Sequence, residues 1–184
     1  MKRALARYPQ GVRRQTLALQ AVLALCLLLL GWTATPAAAD TMTGVVIVVI
    51  DGDTVLFKPD HYHPAGRAFL KLRLADIDAP EKDQPYGETA TRALAEQVLN
   101  QRVEVDTLAT DVYGRTIARI RMGGEEVGED LVQRGFAWAA TRSRHASALK
   151  AAQRQARRER RGLWQDAAPV PPWVWRRARS AAGN

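Results

Sequence analysis

The chain has 184 residues, of which 47% are hydrophobic and 25% charged, and this argues against a disordered chain and for one domain with short additions. The formal net charge of +8 is unevenly spread, because residues 40–141 carry 11 Lys and Arg against 17 Asp and Glu, whereas residues 142–184 carry 11 against 2. An acidic body beside a basic third disfavours a protein that simply coats DNA. It indicates either an acidic site next to a polyanion-binding surface or a merely solvated basic helix.

The first 39 residues have the order of features of a secretory signal peptide. Met1–Arg14 is basic, Leu17–Trp32 is almost wholly apolar, and Ala37–Ala39 supplies small residues before Asp40. The apolar stretch is shorter than the roughly 20 residues that span a membrane, so cleavage is predicted, with an uncleaved anchor as the alternative. We therefore expect a secreted or periplasmic protein. The single cysteine, Cys26, lies in the removed segment, which leaves the mature chain without a thiol.

Apolar periodicity and turn residues predict the elements of the mature chain. Strands are predicted at 43–50, 54–58, 67–76, 102–108 and 116–122, and helices at 88–99, 127–135 and 147–163. The last helix is rich in arginine and is expected to stop at Gly162. This order predicts an α+β fold, a small, partly open, five-stranded barrel of the oligonucleotide-binding type capped by about three helices. Both binding modules and enzymes use this architecture, so it assigns no function by itself.

Three polar clusters, Asp51–Thr54, Arg73–Glu81 and Asp111–Arg115, fall at predicted turns and strand ends. Cleaving a phosphodiester requires a base for water, cationic donors for the charge developing on the phosphate, and often a hard cation. Arginine suits the donor role, and carboxylates suit calcium. Because strand neighbours point to opposite sides, Arg73 and the carboxylates that follow it can meet only if the loop turns back. Each cluster alone is also an ordinary surface turn.

Together and in this order, the clusters resemble the thermonuclease (staphylococcal-nuclease-like) family. The motifs that carry the resemblance are D-G-D-T-V at Asp51–Val55, R-L-x-x-x-D-x-P-E at Arg73–Glu81 and D-x-Y-G-R at Asp111–Arg115, with smaller elements at Tyr86-Gly87, Gly135–Ala137 and Gly162–Trp164. The likeness covers about residues 43–166. It implies a nuclease domain at 40–166, followed by a Pro-, Trp- and Arg-rich tail at 167–184 that looks like the tail of bacterial relatives.

The resemblance also implies catalytic roles. Arg73 and Arg115 are expected to neutralise the phosphate in the transition state, and Glu81 to act as general base on water. Tyr113 is expected to contact substrate. Thr141 and Ser143 stand where the best-known member has two tyrosines that flank the nucleotide. Because stacking on an aromatic ring is worth about 1–3 kcal/mol per base, this departure bears on affinity and base preference.

The implied metal is calcium. Asp53 and Asp78 are expected to bind it directly, together with the backbone carbonyl of Ala79, while Asp51 lies close by without binding it. The implied reaction is endonucleolytic and exonucleolytic hydrolysis of DNA and RNA, favouring single-stranded or locally open substrate and leaving 3′-phosphates. We expect a monomer with no obligate protein partner and no stable membrane association once the signal is removed.

Two other interpretations remain open at this stage. One is a catalytically silent, nucleic-acid-binding barrel of the same fold, and the other is a membrane-anchored calcium-binding or interaction module. Glu81 argues against the silent binder, because a protein that only binds phosphate gains nothing from a carboxylate beside it.

Overall fold

Alternating apolar residues build the strands of the barrel. The computed structural model describes residues 41–61, 66–140 and 146–182, so the predicted signal peptide, Thr141 and Ser143 lie outside the described residues. The strands are β1 (Thr41–Asp51), β2 (Thr54–Pro59), β3 (Leu70–Leu74), β4 (Ile77–Asp78), β5 (Arg102–Thr110), β6 (Thr116–Met122), β7 (Glu125–Glu126) and β8 (Trp138–Ala139). The helices are α1 (Gly87–Val98), α2 (Val127–Gln133), α3 (Ala146–Arg158) and α4 (Pro172–Ala182), with a 3₁₀ helix at Gly162–Gln165.

Five of the strands close into a barrel. The long β1 pairs antiparallel with both β2 and β5, and register shifts at Val46/Val48 and Val49/Asp51 bend it between the two neighbours. β3 then pairs in parallel with β6, Leu72 opposite Thr116, and this contact completes the ring. The α+β barrel predicted from the sequence is confirmed, and it is closed rather than partly open. Closure leaves no free edge between these strands.

The core combines the barrel interior with the inner faces of α1 and α2. Val46, Phe57 and Leu72 of the barrel are fully buried, as are Leu94 of α1 and Leu131 of α2. Burying a side chain of this size contributes roughly 1.5–3 kcal/mol, so these residues carry much of the stability. The packing attaches both helices to the barrel and thereby fixes the loops that connect them to it.

The strands and the first two helices lie within a few residues of their predicted limits, but the third helix is shorter than predicted. α3 ends at Arg158 instead of continuing to Leu163. Arg160 has φ 52° and Gly162 also has φ 52°, so the backbone leaves the helical region there. The Arg161 N–H closes the end of the helix by donating to the Ala156 carbonyl oxygen at 2.9 Å. Beyond this end, Gly162 packs so closely on a second backbone segment that an added Cβ would lie 2.3 Å from the carbonyl oxygen of Gly135. No helix among the described residues is long and apolar enough to cross a membrane.

A second hydrophobic cluster joins β8, α3 and the 3₁₀ helix. Trp138 and Trp164 pack edge to face with ring centroids 4.4 Å apart, and Leu163 is buried beside them. The guanidinium of Arg157 lies 4.1 Å from the ring centroid of Trp164 and 5.0 Å from that of Trp138. Arg157, which belongs to the arginine-rich helix predicted from the sequence, therefore stacks on two aromatic rings while remaining exposed, because a cation is attracted by their π faces.

Candidate active site

Three separate turns line one cavity of about 600 Å³. They are the β1–β2 turn, the segment from β3 to Glu81, and the β5–β6 turn. All eight residues singled out from the sequence line this cavity: Asp51, Asp53, Arg73, Asp78, Ala79, Glu81, Tyr113 and Arg115. Three others to which the sequence assigned no role also line it: Lys71, Pro80 and Arg176. The structure thus brings the predicted residues together, while their individual roles remain predictions.

Arg73 reaches the carboxylates because the chain turns back after β3. Asp76 has φ 65°, a left-handed conformation that an L residue adopts mainly in turns, and it reverses the direction of the segment. The guanidinium of Arg73 then donates from Nη1 to the carbonyl oxygens of Leu74 at 2.9 Å and Ile77 at 3.1 Å. Its Nη2 lies 3.0 Å from Asp53 Oδ2 and 3.0 Å from Asp78 Oδ1. Four partners therefore hold one cation in a single orientation.

Asp53 is a buried carboxylate at the start of β2. Its Oδ2 accepts a hydrogen bond from the Ala79 backbone N–H at 2.8 Å, and its Oδ1 accepts one from the Thr54 hydroxyl at 3.1 Å. Burial raises the pKa of Asp53 to about 7, against the opposing effect of the Arg73 charge, and the neighbouring Asp51 raises it further. The protein alone therefore does not fully compensate a negative charge at this position.

The D-G-D turn is shaped by its own side chain and by its neighbours. The Asp53 backbone N–H donates to Asp51 Oδ1 at 3.0 Å, which closes a local turn and explains the place of Asp51 beside the site. A Cβ added to Gly52 would lie 2.7 Å from the Ala79 Cβ and 2.9 Å from the Ala90 Cβ. Only glycine lets the turn pack this closely against the segment that carries Ala79.

Glu81 stands on a compact loop between β4 and α1. The Gln84 backbone N–H donates to the Glu81 carbonyl oxygen at 2.8 Å, and the buried Gln84 side chain accepts from the Glu81 N–H at 3.1 Å. A Cβ on Gly87 would lie 1.8 Å from the Glu81 carbonyl oxygen, so the tight approach of the helix start requires glycine. These contacts fix the backbone of Glu81 and leave its side chain, 37% exposed, facing the cavity.

Arg115 is oriented by the turn that contains it. Its backbone N–H donates to Asp111 Oδ1 at 2.9 Å and its Nε donates to Asp111 Oδ2 at 2.7 Å. The turn closes through Gly114, which has φ 76°. Desolvation acts to raise the pKa of Asp111, but the hydrogen bonds from Arg115 and from the Tyr113 N–H outweigh it, and the pKa is lowered. Asp111 thus remains an anion that holds Arg115 by Nε and leaves the terminal nitrogens facing the cavity.

The tyrosines near the site have different environments. Tyr113 is 81% exposed at the tip of the β5–β6 turn and lines the cavity, with the Arg115 guanidinium 5.5 Å from its ring centroid. Tyr86 instead packs against the second hydrophobic cluster. Tyr113 therefore offers an open ring face beside the two arginines, whereas Tyr86 supports the scaffold.

Two cations of the cavity were missed in the sequence. Lys71 could have been found by the alternation of β3, because it lies two residues before Arg73 and shares its side of the strand. Arg176 had no comparable signal. It belongs to α4, a helix that the sequence did not predict, and its guanidinium donates to Asp78 and Glu81. Hydrogen bonding to Asp78 is the main reason that the pKa of Arg176 is raised.

The donor set is compatible with calcium. Asp53 and Asp78 both approach the same nitrogen of Arg73, so their carboxylates lie side by side, and the Ala79 backbone follows directly. Within the described residues, no three Asp, Glu, His or Cys side chains converge as a metal cluster. Calcium takes six to eight oxygens and accepts backbone carbonyls and waters, so two carboxylates and a carbonyl form a partial set that suits it. The uncompensated charge of buried Asp53 fits a cation at this place.

A closed oligonucleotide-binding-type barrel that gathers two arginines, a glutamate and an acidic pair in one cavity has the groups that hydrolysis of a phosphate ester requires. Comparison with known proteins narrows this class. The sequence model of the family described as "Staphylococcal nuclease homologue" matches residues 71–166. Micrococcal nuclease of Shigella flexneri is 36% identical over 181 residues, which cover 91% of this chain and 97% of that protein.

Further relatives give the same result. A protein of Escherichia coli named as an uncharacterized endonuclease is 35% identical over 153 residues, covering 83% of this chain and 94% of its own length. Protein ParB of Escherichia coli is 38% identical over 177 residues, which cover 90% of this chain and 94% of that protein. The chain belongs to the staphylococcal nuclease homologue family. It is a nuclease, an enzyme that hydrolyses nucleic acid, and this excludes the interpretation as a silent binding barrel.

Proposed function

We propose that this nuclease is calcium-dependent and cleaves DNA and RNA, both internally and from the ends, to leave 3′-phosphates. The observation that supports the proposal most directly is the shared cavity of Arg73, Glu81 and Arg115 beside the acidic pair. The similarity to a micrococcal nuclease over nearly the whole chain supports the same conclusion. Each residue has a role that follows from its contacts.

The two arginines stabilise the charge that develops on the phosphate. Arg73 is held by two carbonyls and two carboxylates, and Arg115 is held by Asp111, so neither needs to reorganise during the reaction. A preorganised donor of this kind typically contributes about 10²–10³ in rate.

Glu81 acts as the general base. Its side chain faces the cavity and reaches solvent, so it can accept a proton from a water molecule that attacks the phosphorus. The bond from phosphorus to the 5′-oxygen breaks, the 5′-oxygen takes a proton from solvent and leaves as a hydroxyl, and the phosphate stays on the 3′ side. A positioned base contributes about 10²–10⁴ in rate.

Asp53, Asp78 and the Ala79 carbonyl would hold the calcium ion. When bound, the ion supplies positive charge against the phosphate and offsets the carboxylates that otherwise repel an anionic substrate. Asp51 shapes the turn that carries Asp53 and adds negative charge beside it. The three carboxylates and the neutral Ala79 carbonyl thus form the oxygen-rich part of the site, and Arg73 contacts two of these carboxylates.

The exposed ring of Tyr113 favours single-stranded or locally open substrate, because an unpaired base can stack on it. We further propose that the protein acts as a monomer after export to the periplasm or the medium. The A-x-A site before Asp40 supports export.

The test incubates the purified protein with end-labelled single-stranded DNA and RNA, in calcium or in chelator, and analyses the ends of the products. We expect cleavage in calcium and none in chelator. The products should carry 3′-phosphates, which a 3′-phosphatase removes. Full cleavage in chelator would contradict the metal assignment. Products with 5′-phosphates would contradict the assigned leaving group.

A further inference from the structure

The C-terminal helix α4 is attached to the wall of the nuclease site. Just before it, the Val170 carbonyl oxygen accepts a hydrogen bond from the buried Gln84 side chain at 2.6 Å, and Pro172 is buried. The Trp173 ring packs edge to face on Trp138, with centroids 5.5 Å apart. Further along the helix, Arg179 forms an ion pair with Asp83. Three of its contacts thus lie on the Glu81–Tyr86 loop or on β8.

The helical repeat turns one face of α4 toward the site. Trp173, Arg176 and Arg179 are spaced by three residues and therefore share a face. Trp173, packed on Trp138, and Arg179, in an exposed ion pair with Asp83, anchor the helix on the two sides of the middle residue. That middle residue is Arg176, which lines the cavity.

Arg176 occupies the carboxylates that the proposed function assigns to the metal and to the base. Its Nη2 donates to Asp78 Oδ2 at 2.7 Å, and its Nη1 donates to Asp78 Oδ1 at 3.1 Å and to Glu81 Oε1 at 2.6 Å. Both oxygens of Asp78 and one oxygen of Glu81 are thereby bound to a single guanidinium. A calcium ion that binds Asp78 and a water that binds Glu81 need the same oxygens.

If calcium and water bind these carboxylate oxygens, the Arg176 guanidinium can bind a substrate phosphate instead. Calcium at Asp78 repels a neighbouring cation and removes its acceptors, yet the anchors of α4 keep Arg176 at the cavity wall. The cavity then holds Arg73, Arg115 and Arg176 facing a phosphate. A phosphate accepts parallel hydrogen bonds from a guanidinium fork, as a carboxylate does.

Resting on the proposed calcium-dependent function, we propose that Arg176 is a further substrate-binding residue that exchanges partners, neutralising Asp78 and Glu81 in the metal-free enzyme and binding substrate phosphate after calcium has displaced it. The residue therefore has opposite effects on the two ligands. It weakens the binding of calcium alone, and it strengthens the binding of nucleotide to the calcium-loaded protein.

Titration calorimetry measures two affinities. The first is the affinity for calcium alone, and the second is the affinity for thymidine 3′,5′-bisphosphate at saturating calcium. Arg176→Gln is the test variant. Arg177→Gln is the matched control, because it removes the same charge from the same helix at an exposed residue for which the described part of the chain shows no ion pair. Trp173→Ala, which removes an anchor without altering charge, is the second test variant.

We expect Arg176→Gln to bind calcium about tenfold more tightly and the bisphosphate about tenfold more weakly, since each change removes charge-assisted hydrogen bonds of this order. Trp173→Ala should shift both affinities in the same directions, and Arg177→Gln neither. The KM for DNA should rise in Arg176→Gln more than kcat falls.

Unchanged calcium affinity in Arg176→Gln would overturn the proposal, because Arg176 would then be no competitor of the ion. Tighter calcium with unchanged bisphosphate affinity would overturn it too, leaving the arginine only an inhibitory contact. If the wild-type protein itself binds no calcium, the proposed calcium dependence fails and this proposal fails with it. The wild-type titration therefore distinguishes the two failures.

Discussion

Arg115 is bound to both carboxylate oxygens of Asp111, by its backbone N–H at 2.9 Å and by its Nε at 2.7 Å. The two residues are four apart, at the ends of one turn. One anion thus fixes both the turn and the direction of the guanidinium that leaves it. Asp111 touches no substrate in the proposed mechanism, so it is a positioning residue for Arg115.

Asp111→Ala should lower kcat by roughly 10²-fold, because a misplacement of about 1 Å has an effect of that size, with a smaller change in KM. Steady-state kinetics on single-stranded DNA checks it. Asp106→Ala is the matched control, since Asp106 holds Arg121 and the Thr41 hydroxyl in a comparable network outside the cavity. Equal losses of kcat in the two variants would contradict the positioning role.

Glu81→Gln and Arg115→Ala should each lower kcat by about 10²-fold or more with little change in melting temperature. Both side chains are partly exposed, so the fold does not depend on them. Arg73→Ala should lower kcat and also destabilise the metal-free protein, by roughly 3–5 kcal/mol, because it leaves buried Asp53 without its cation. Kinetics with parallel thermal melts separates the two effects. Near wild-type cleavage by all three folded variants would contradict the assignment of the site.

Asp53→Asn should stabilise the metal-free protein at neutral pH while weakening calcium binding. The folded pKa of about 7 lies above the ordinary value of 3.8 for this carboxyl, so the stability that the group contributes is full below pH 3.8 and is lost as the pH rises through 7. This difference in pKa corresponds to at most roughly 4 kcal/mol in the free energy of unfolding. The gain in stability of Asp53→Asn is smaller than this, because the variant loses the ion pair with Arg73. Urea melts in chelator between pH 4 and pH 8 check it. If the stability difference between variant and wild type does not grow with pH, ionisation of Asp53 does not destabilise the metal-free protein.

The exposed cations of α3 should aid substrate capture. Two arginines of the predicted basic helix have other contacts in the structure. Arg157 stacks on two tryptophans, and Arg161, which lies beyond the end of α3, donates to the Gln133 carbonyl oxygen. Arg154→Gln with Arg158→Gln should raise KM and flatten its salt dependence while sparing kcat, since phosphate contacts release counterions. KM measured across a salt series tests this. A fall in kcat at constant KM would contradict this, because it would mean that these arginines act in the chemical step and not in substrate capture.

Export should remove residues 1–39. The reason is the uncharged stretch from Gln15 to Ala39, which ends in small residues before Asp40. N-terminal sequencing of the exported protein checks it, and a sequence beginning at Met1 would indicate an anchor instead.

The sequence alone determined the features that depend on near neighbours. Apolar runs on the two sides of the D-G-D turn specify β1 and β2, and alternating apolar residues specify β3, β5 and β6. The spacing of Ala90, Leu94 and Val98 specifies α1, because each of these signals is read within a few residues. The motifs also brought Asp53, Arg73 and the other site residues to notice, since turns concentrate polar groups at strand ends.

Tertiary structure decided what depends on distant contacts. The left-handed conformation of Asp76 turns Arg73 back to Asp53, and nothing in an Asp residue by itself demands that conformation. α3 ends early because Arg160 adopts a left-handed conformation before Gly162 packs on Gly135, and the exposed Arg157 stacks on two rings that other elements supply. Arg176 meets Asp78 across 98 positions of the chain, so only the docking of α4 on the folded barrel could place a third arginine in the site.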